Sequence, residues 1–154
     1  MRKLKTPEEL SEIIKDLKAQ GKRVVFTNGC FDIIHAGHVE YLRQARALGD
    51  VLVVGVNSDE SVSKLKPKRP INPLNERLKV LDSLEMVDYL VVFEEKTPYE
   101  LIKTLRPHMV VKGGDWKEED IVGRDLVEEV KSLGYVSGIS TTGIIERIIQ
   151  RYCK

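Results

Sequence analysis

Residues 51 to 56 read VLVVGV, an apolar run without polar alternation, closed by Gly49-Asp50 before it and Asn57-Ser58-Asp59 after it. A run of that length between turn residues fits a strand buried on both faces, as in a parallel sheet. Parallel neighbours cannot be joined by a tight hairpin, so the chain must supply helical crossovers. It does. A strand at about 24 to 28 is followed by a helix at about 38 to 48 carrying Tyr41, Leu42, Ala45 and Leu48. Further strands are expected at Tyr89 to Phe93 and His108 to Lys112. Thr6-Pro7-Glu8-Glu9 combines an N-cap, a proline at the first helical position and a capping-box glutamate, and so starts a helix from Pro7 to Gln20. Asn72-Pro73 opens another, with Leu74, Leu78, Leu81 and Leu84 on one side. Thr97-Pro98-Tyr99-Glu100 opens a third that stops at Arg106-Pro107. A helix is expected from Arg124 to Leu133, and a last one after Ser140, carrying Ile144, Ile145, Ile148 and Ile149. The alternation predicts the α/β class with a doubly wound parallel sheet. With 154 residues, 42% of them hydrophobic, a single domain over 1-154 is expected.

Charge removes several functions from consideration. Lys plus Arg number 25 against 24 Asp plus Glu, so no overall field favours a polyanion, and no nucleic-acid partner is expected. Cys30 and Cys153 fit no zinc or C-x-x-C spacing, which points to a reducing, cytoplasmic compartment and to no metal held by the protein itself. No apolar run approaches about 18 residues, so neither a signal peptide nor a membrane association is expected.

The chemistry concentrates between Val24 and Glu40, VVFTNGCFDIIHAGHVE. A strand ends in Thr27-Asn28-Gly29, and two of the three histidines then flank a glycine as His35-Ala36-Gly37-His38 where the next helix begins. Unpaired N–H groups and the positive end of the helix dipole favour an anion there, and imidazoles add donors. Glycine at 37 permits close approach to the main chain. Residues 64 to 70, KLKPKRP, carry four cations and two prolines, and read as a lid over phosphates or as a solvated basic loop rather than a helix. Gly113-Gly114 delivers Asp115 and Trp116 to the same sheet edge, as ligand contacts or as simple packing. Ser140, Thr141 and Thr142 open the last helix, either as ordinary caps or as phosphate ligands. No G-x-G-x-x-G follows a strand and no G-x-x-x-x-G-K-[ST] occurs, which removes dinucleotide redox and P-loop chemistry.

Taken together, TNGCFDIIHAGH, VNSDES, KPKRPINPLNERLKVLDSLEMVD, VVKGGDW and ISTTGIIERI, in this order, resemble the H-x-G-H nucleotidyltransferase superfamily from about Lys22 onward. Within it the RPINPLNER and KGGDW segments resemble the bacterial heptose-1-phosphate adenylyltransferases. The resemblance implies a Rossmann-like fold and transfer of AMP from ATP to a sugar 1-phosphate, with Mg²⁺ on the triphosphate and release of pyrophosphate. The product would be ADP-heptose for lipopolysaccharide core synthesis. It also implies a homodimer and a separate sugar kinase in the same pathway. Carried over by motif, His35, His38 and Lys64 would be catalytic, with Lys66 beside them. Thr27, Asn28, Gly29, Phe31 and Gly37 would line the nucleotide and phosphate pocket, Lys112, Gly113, Asp115 and Trp116 would lie along the nucleotide, and Ser140, Thr141 and Thr142 would hold the β- and γ-phosphates. Asp32, Asn57, Asp59 and Arg77 would face the acceptor. One departure from the pattern stands out: between Leu133-Gly134 and Ile139-Ser140 only Tyr135-Val136-Ser137-Gly138 occupies the place of a further apolar strand, so either the fifth strand is shortened to a vestige or the chain crosses differently, which leaves the position of the ISTT helix open. Other classes make different demands. A cytidylyltransferase for glycerol 3-phosphate shares the H-x-G-H and ISTT motifs. A nucleotide sensor on this fold would lack a histidine or the lysine loop, and a tRNA synthetase fragment would carry a K-M-S-K-S-like loop.

Overall fold

The computed structural model describes residues 1–134 and 138–153. Five strands form one parallel sheet in the order β3-β2-β1-β4-β5: β1 (Val24–Gly29), β2 (Val51–Asn57), β3 (Tyr89–Phe93), β4 (Met109–Gly113) and β5 (Glu129–Leu133). The helices are α1 (Pro7–Ala19), α2 (Ala36–Arg46), α3 (Asp59–Leu65), α4 (Leu74–Asp82), α5 (Tyr99–Leu105) and α6 (Thr141–Tyr152). Both faces of the sheet are covered. Leu42 and Ala45 of α2 and Leu78 and Leu81 of α4 pack on Val25, Leu52, Val54 and Val56. Leu10 and Ile14 of α1 and Leu101, Ile102 and Leu105 of α5 pack on Val24, Phe26, Val53 and Val91. The two-sided apolar character of residues 51 to 56 has its reason here, since successive side chains of a strand go to opposite faces. The capping box of α1 forms as its sequence requires, with Glu9 N–H donating to Thr6 Oγ1 and Thr6 N–H to the Glu9 carboxylate.

Two expectations fail. The segment read as a helix from Arg124 to Leu133 is a short 3₁₀ turn, Arg124–Leu126, followed by the strand β5, which pairs with β4 from Met109↔Glu129 to Gly113↔Leu133. Leu126, Val127, Val130 and Leu133 fall at helical spacing, but the open edge of β4 offers a full ladder, and tertiary pairing overrides a short local pattern. The fifth strand is therefore not shortened in the stretch after Gly134; it precedes that residue, and Tyr135, Val136 and Ser137 lie outside the described residues. The other failure concerns 64 to 70. Ser58 caps α3, its hydroxyl accepting the Ser61 N–H, and the helix runs through Lys64 and Leu65, so the loop starts only at Lys66.

From β1 the chain passes to β2 on one side, while β4 pairs on the other, so the carboxyl ends of β1 and β4 flank the point where strand order reverses. Open α/β sheets bind ligands there. Among the described residues no helix is long and apolar enough to cross a membrane.

Candidate active site

A cavity of about 470 Å³ opens at that switch point. Its floor comes from the end of β1 and the turn after it: Asn28, Gly29, Cys30, Phe31 and Asp32. Phe31 adopts a left-handed backbone, φ 50°, which a bulky residue takes only under constraint, and its ring is buried beneath the His38 imidazole with centroids 5.5 Å apart. The strain turns the chain sharply out of the sheet, so that α2 starts beside the cavity.

The two histidines are set by the helix start itself. His35 is the N-cap of α2, and its Nδ1 accepts the Gly37 N–H at 3.1 Å; His38 Nδ1 accepts the His35 N–H at 3.2 Å. With Nδ1 accepting in both rings, the proton of each neutral imidazole sits on Nε2, which is left as a donor. Burial drives the His38 pKa down to about 4, with His35 and Lys66 adding to the effect, and burial lowers His35 as well. At neutral pH the pair is uncharged, which allows the rings to stack with centroids 3.9 Å apart. Gly37 is required here for a reason closer than the ligand: a Cβ on it would stand 2.9 Å from His35 Cε1 and push the imidazole aside.

Lys112 and Gly113 at the end of β4 and Gly114 just after it also line the cavity, as do Ser140, Thr141 and Thr142 from the start of α6. The Ser140 hydroxyl caps that helix, accepting the Gly143 N–H at 2.9 Å. Lys112 is held below the usual lysine pKa chiefly by burial, with Lys66 acting in the same direction and Cys30 against it. Lys66 and Arg69 close the rim.

Other sequence-predicted residues stand outside the cavity lining. Thr27 is buried and donates to the Val111 carbonyl while sharing a hydrogen bond with Tyr41. Lys64 extends along α3 and pairs with Glu60 at 3.4 Å. Asp115 is exposed, and Trp116 folds back so that its Nε1 donates to the Gly113 carbonyl, with Lys112 Nζ 5.3 Å from its ring centre. The Asn57 side chain donates to Ser61 Oγ. Arg77, 1% exposed, donates to the carbonyls of Asn72, Cys30 and Asn57 and to the Asp59 carboxylate at 2.8 Å. Asn57, Asp59 and Arg77 thus form a brace under the turn of residues 30 to 32. Sequence reasoning assigned them to the acceptor because residue type and position at a sheet edge reveal neither the burial of Asn57 and Arg77 nor the pairing of the exposed Asp59 with Arg77.

Tyr41, Cys30 and Ile139 line the cavity without having been singled out, and Arg69 does so as one of the four cations of residues 64 to 70. Tyr41 could have been found, since it lies one helical turn after His38 and so shares its face. Its ring also packs against Gly113, where an added Cβ would approach to 3.2 Å, and burial lifts its hydroxyl pKa to about 12.

The profile of the cytidylyltransferase-like family matches residues 26–147. Over 146 residues the chain is 58% identical to "Bifunctional protein HldE" of a Nitratiruptor species, covering 94% of this chain and 32% of that protein. It is 54% identical over 155 residues to "Bifunctional protein HldE" of Pelobacter propionicus, covering 97% of this chain and 32% of the relative. The chain therefore spans about a third of the length of these curated relatives. A crystal structure of the lipopolysaccharide core biosynthesis protein from Thermoplasma volcanium superposes with a TM-score of 0.66 at 28% identity, covering 76% of this chain and all of that one. The chain belongs to the cytidylyltransferase-like family.

Proposed function

We propose that this chain is a nucleotidyltransferase that moves AMP from ATP to heptose 1-phosphate, releasing pyrophosphate and giving ADP-heptose. The observation that carries the reading is the pair of neutral imidazoles whose Nδ1 atoms are both engaged by backbone N–H, beside a cationic cavity rim. An oxygen of the acceptor phosphate attacks the α-phosphorus; the new P–O bond forms as the bond to the bridging oxygen breaks, and pyrophosphate departs with the electron pair. The acceptor oxygen is already ionised, so no protein base or nucleophile is needed. What the protein can add is alignment and preorganised donors for charge that develops on phosphorus oxygens. His35 and His38 supply donors without adding a charge that would hold the substrate as tightly as the transition state. Lys66, Lys112 and the start of α6 take the charge of the leaving group.

Mg²⁺ fits this site as a passenger of the nucleotide. The cavity-lining carboxylate is Asp32, whose oxygens already accept backbone N–H groups of Ile71 and Asn72, and no cluster of three metal-ligating side chains occurs among the described residues. Bound to the triphosphate, the ion screens phosphate charge.

The heptose acceptor and the adenine base rest on the resemblance of RPINPLNER and KGGDW to the heptose enzymes, and the name of the similar structure, a lipopolysaccharide core biosynthesis protein, supports the pathway. A homodimer, a cytoplasmic location and a separate sugar kinase that makes the acceptor belong to the same reading. The family description favours one second reading, a cytidylyltransferase acting on an alcohol phosphate such as glycerol 3-phosphate. Pyrophosphate release is measured for ATP or CTP with heptose 1-phosphate or glycerol 3-phosphate. ATP with the heptose is expected to be fastest; a clear preference for CTP with glycerol 3-phosphate would replace the first reading by the second.

A further inference from the structure

The loop between α3 and α4 is fastened at two points. At its far end the Asp32 carboxylate, 4% exposed, accepts the Ile71 N–H at 2.8 and 3.0 Å and the Asn72 N–H at 2.8 Å, and Asn72 Nδ2 returns a bond to the Asp32 carbonyl. Two residues earlier, Arg69 Nη2 donates to Thr142 Oγ1 at 3.1 Å, which places a guanidinium in the first turn of α6. That position is unfavourable for a cation. The N-terminal turn of a helix is its positive end, and a guanidinium there is repelled unless an anion lies between them. Lys66 and Lys112 also face the cavity, against the carboxylate of Asp32. Asp32, its oxygens taken by backbone donors, is the one carboxylate among the described lining residues, and a single anion does not balance the three cations Lys66, Arg69 and Lys112. An incoming polyphosphate would: it satisfies the guanidinium in bidentate fashion and the α6 N–H groups at once.

We propose that Arg69 binds the β- and γ-phosphates of the nucleotide together with Thr142, and that Asp32 is the positioning residue that holds Arg69 at that place. The inference rests on the nucleotidyl-transfer reading and moves Asp32 from acceptor recognition to the assembly of the phosphate site. Asp32 acts through two backbone N–H groups, so an oxygen in the same position matters more than its charge. Asn keeps one oxygen within reach of both N–H groups but turns its amide donor toward the Ile71 N–H, so it retains part of the function; Ala offers no acceptor.

The test is calorimetric binding of inorganic pyrophosphate with Mg²⁺ to the full chain, beside steady-state kinetics. Arg69→Met is expected to weaken pyrophosphate binding by about tenfold or more, the range of one charge-assisted hydrogen bond. Asp32→Ala should weaken it comparably, Asp32→Asn should restore part of the loss, and the Asp32→Ala/Arg69→Met double variant should bind little worse than Arg69→Met alone. In kinetics both single variants should raise KM for the nucleotide and leave KM for the acceptor in place. Unchanged pyrophosphate binding in Arg69→Met overturns the role of Arg69. An Asp32 effect confined to the acceptor KM, or fully additive with Arg69→Met, overturns the positioning role. If the wild type binds pyrophosphate through Arg69 but transfers no nucleotidyl group, the reading of the reaction falls while this assignment holds; if the wild type binds no pyrophosphate, both fall.

Discussion

At the scale of single residues, the site depends on groups whose burial and whose hydrogen bonds act together. His38 is neutral because its surroundings exclude water, and that neutrality has a signature in stability. Its pKa in the folded chain, about 4, lies below the ordinary 6.5, so the unfolded state binds the proton more readily. Stability is unaffected by this group above pH 6.5 and falls as pH drops from 6.5 toward 4. His38→Asn keeps an acceptor for the His35 N–H and removes both the titration and the Nε2 donor. Chemical unfolding measured across that pH window should show a shallower acid-side loss in the variant, while kcat at neutral pH drops by about 10² or more. An equal acid slope, or an unchanged kcat, would contradict the assignment. Arg77 makes the converse case, a cation buried for structure. Replacing it with Met leaves the carbonyls of Cys30, Asn57 and Asn72 without their donor, at a cost of about 3 kcal/mol or more. A denaturant midpoint within error of the wild type would show that the brace under residues 30 to 32 is dispensable.

At the scale of elements, the segment from Lys66 to Asn72 carries the cations that the proposed lid would bring to the phosphates. Lys66, Lys68 and Arg69 crowd a short loop, and its contacts, at Arg69 with Thr142 and at residues 71 and 72 with Asp32, leave residues 66 to 68 before them exposed. Triphosphate should draw these cations inward. Limited proteolysis at Lys66 to Arg69 is expected to slow when ATP and Mg²⁺ are added; identical cleavage with and without nucleotide would remove the lid. Much of this level was legible beforehand. The capping box of α1, the two-sided strand β2 and the H-x-G-H turn into α2 all follow from local chemistry that the folded chain retains. Where sequence reasoning failed, the deciding interaction was not local. Leu126, Val127, Val130 and Leu133 carry a helical period, and only the free edge of β4, fixed by distant residues, converts them into β5. The same holds for Asn57, Asp59 and Arg77. Their types suggest a polar binding site, and only the packing of α4 shows that they bond to one another and to backbone.

For the whole molecule, strand order is what assembles the site. Pairing β1 with β2 on one side and β4 on the other brings residues 28 to 38, residues 112 to 114 and the start of α6 to one edge, although the first and last of these lie far apart in sequence. None of these segments alone forms an anion site of this strength. On the proposed reading, the histidines would serve the α-phosphate while the loop and the helix start hold the phosphates that leave. The central claim is therefore that reaction occurs at the α-phosphorus, and oxygen isotopes test it most directly. Heptose 1-phosphate carrying ¹⁸O in its non-bridging phosphate oxygens is turned over with unlabelled ATP and Mg²⁺, and the products are weighed by mass spectrometry. Attack at the α-phosphorus predicts that all label stays in the nucleotide sugar, one atom of it in the new P–O–P bridge, and that one unlabelled pyrophosphate is released per turnover. Free AMP together with a heptose 1-triphosphate would place the attack at the β-phosphorus and contradict the account.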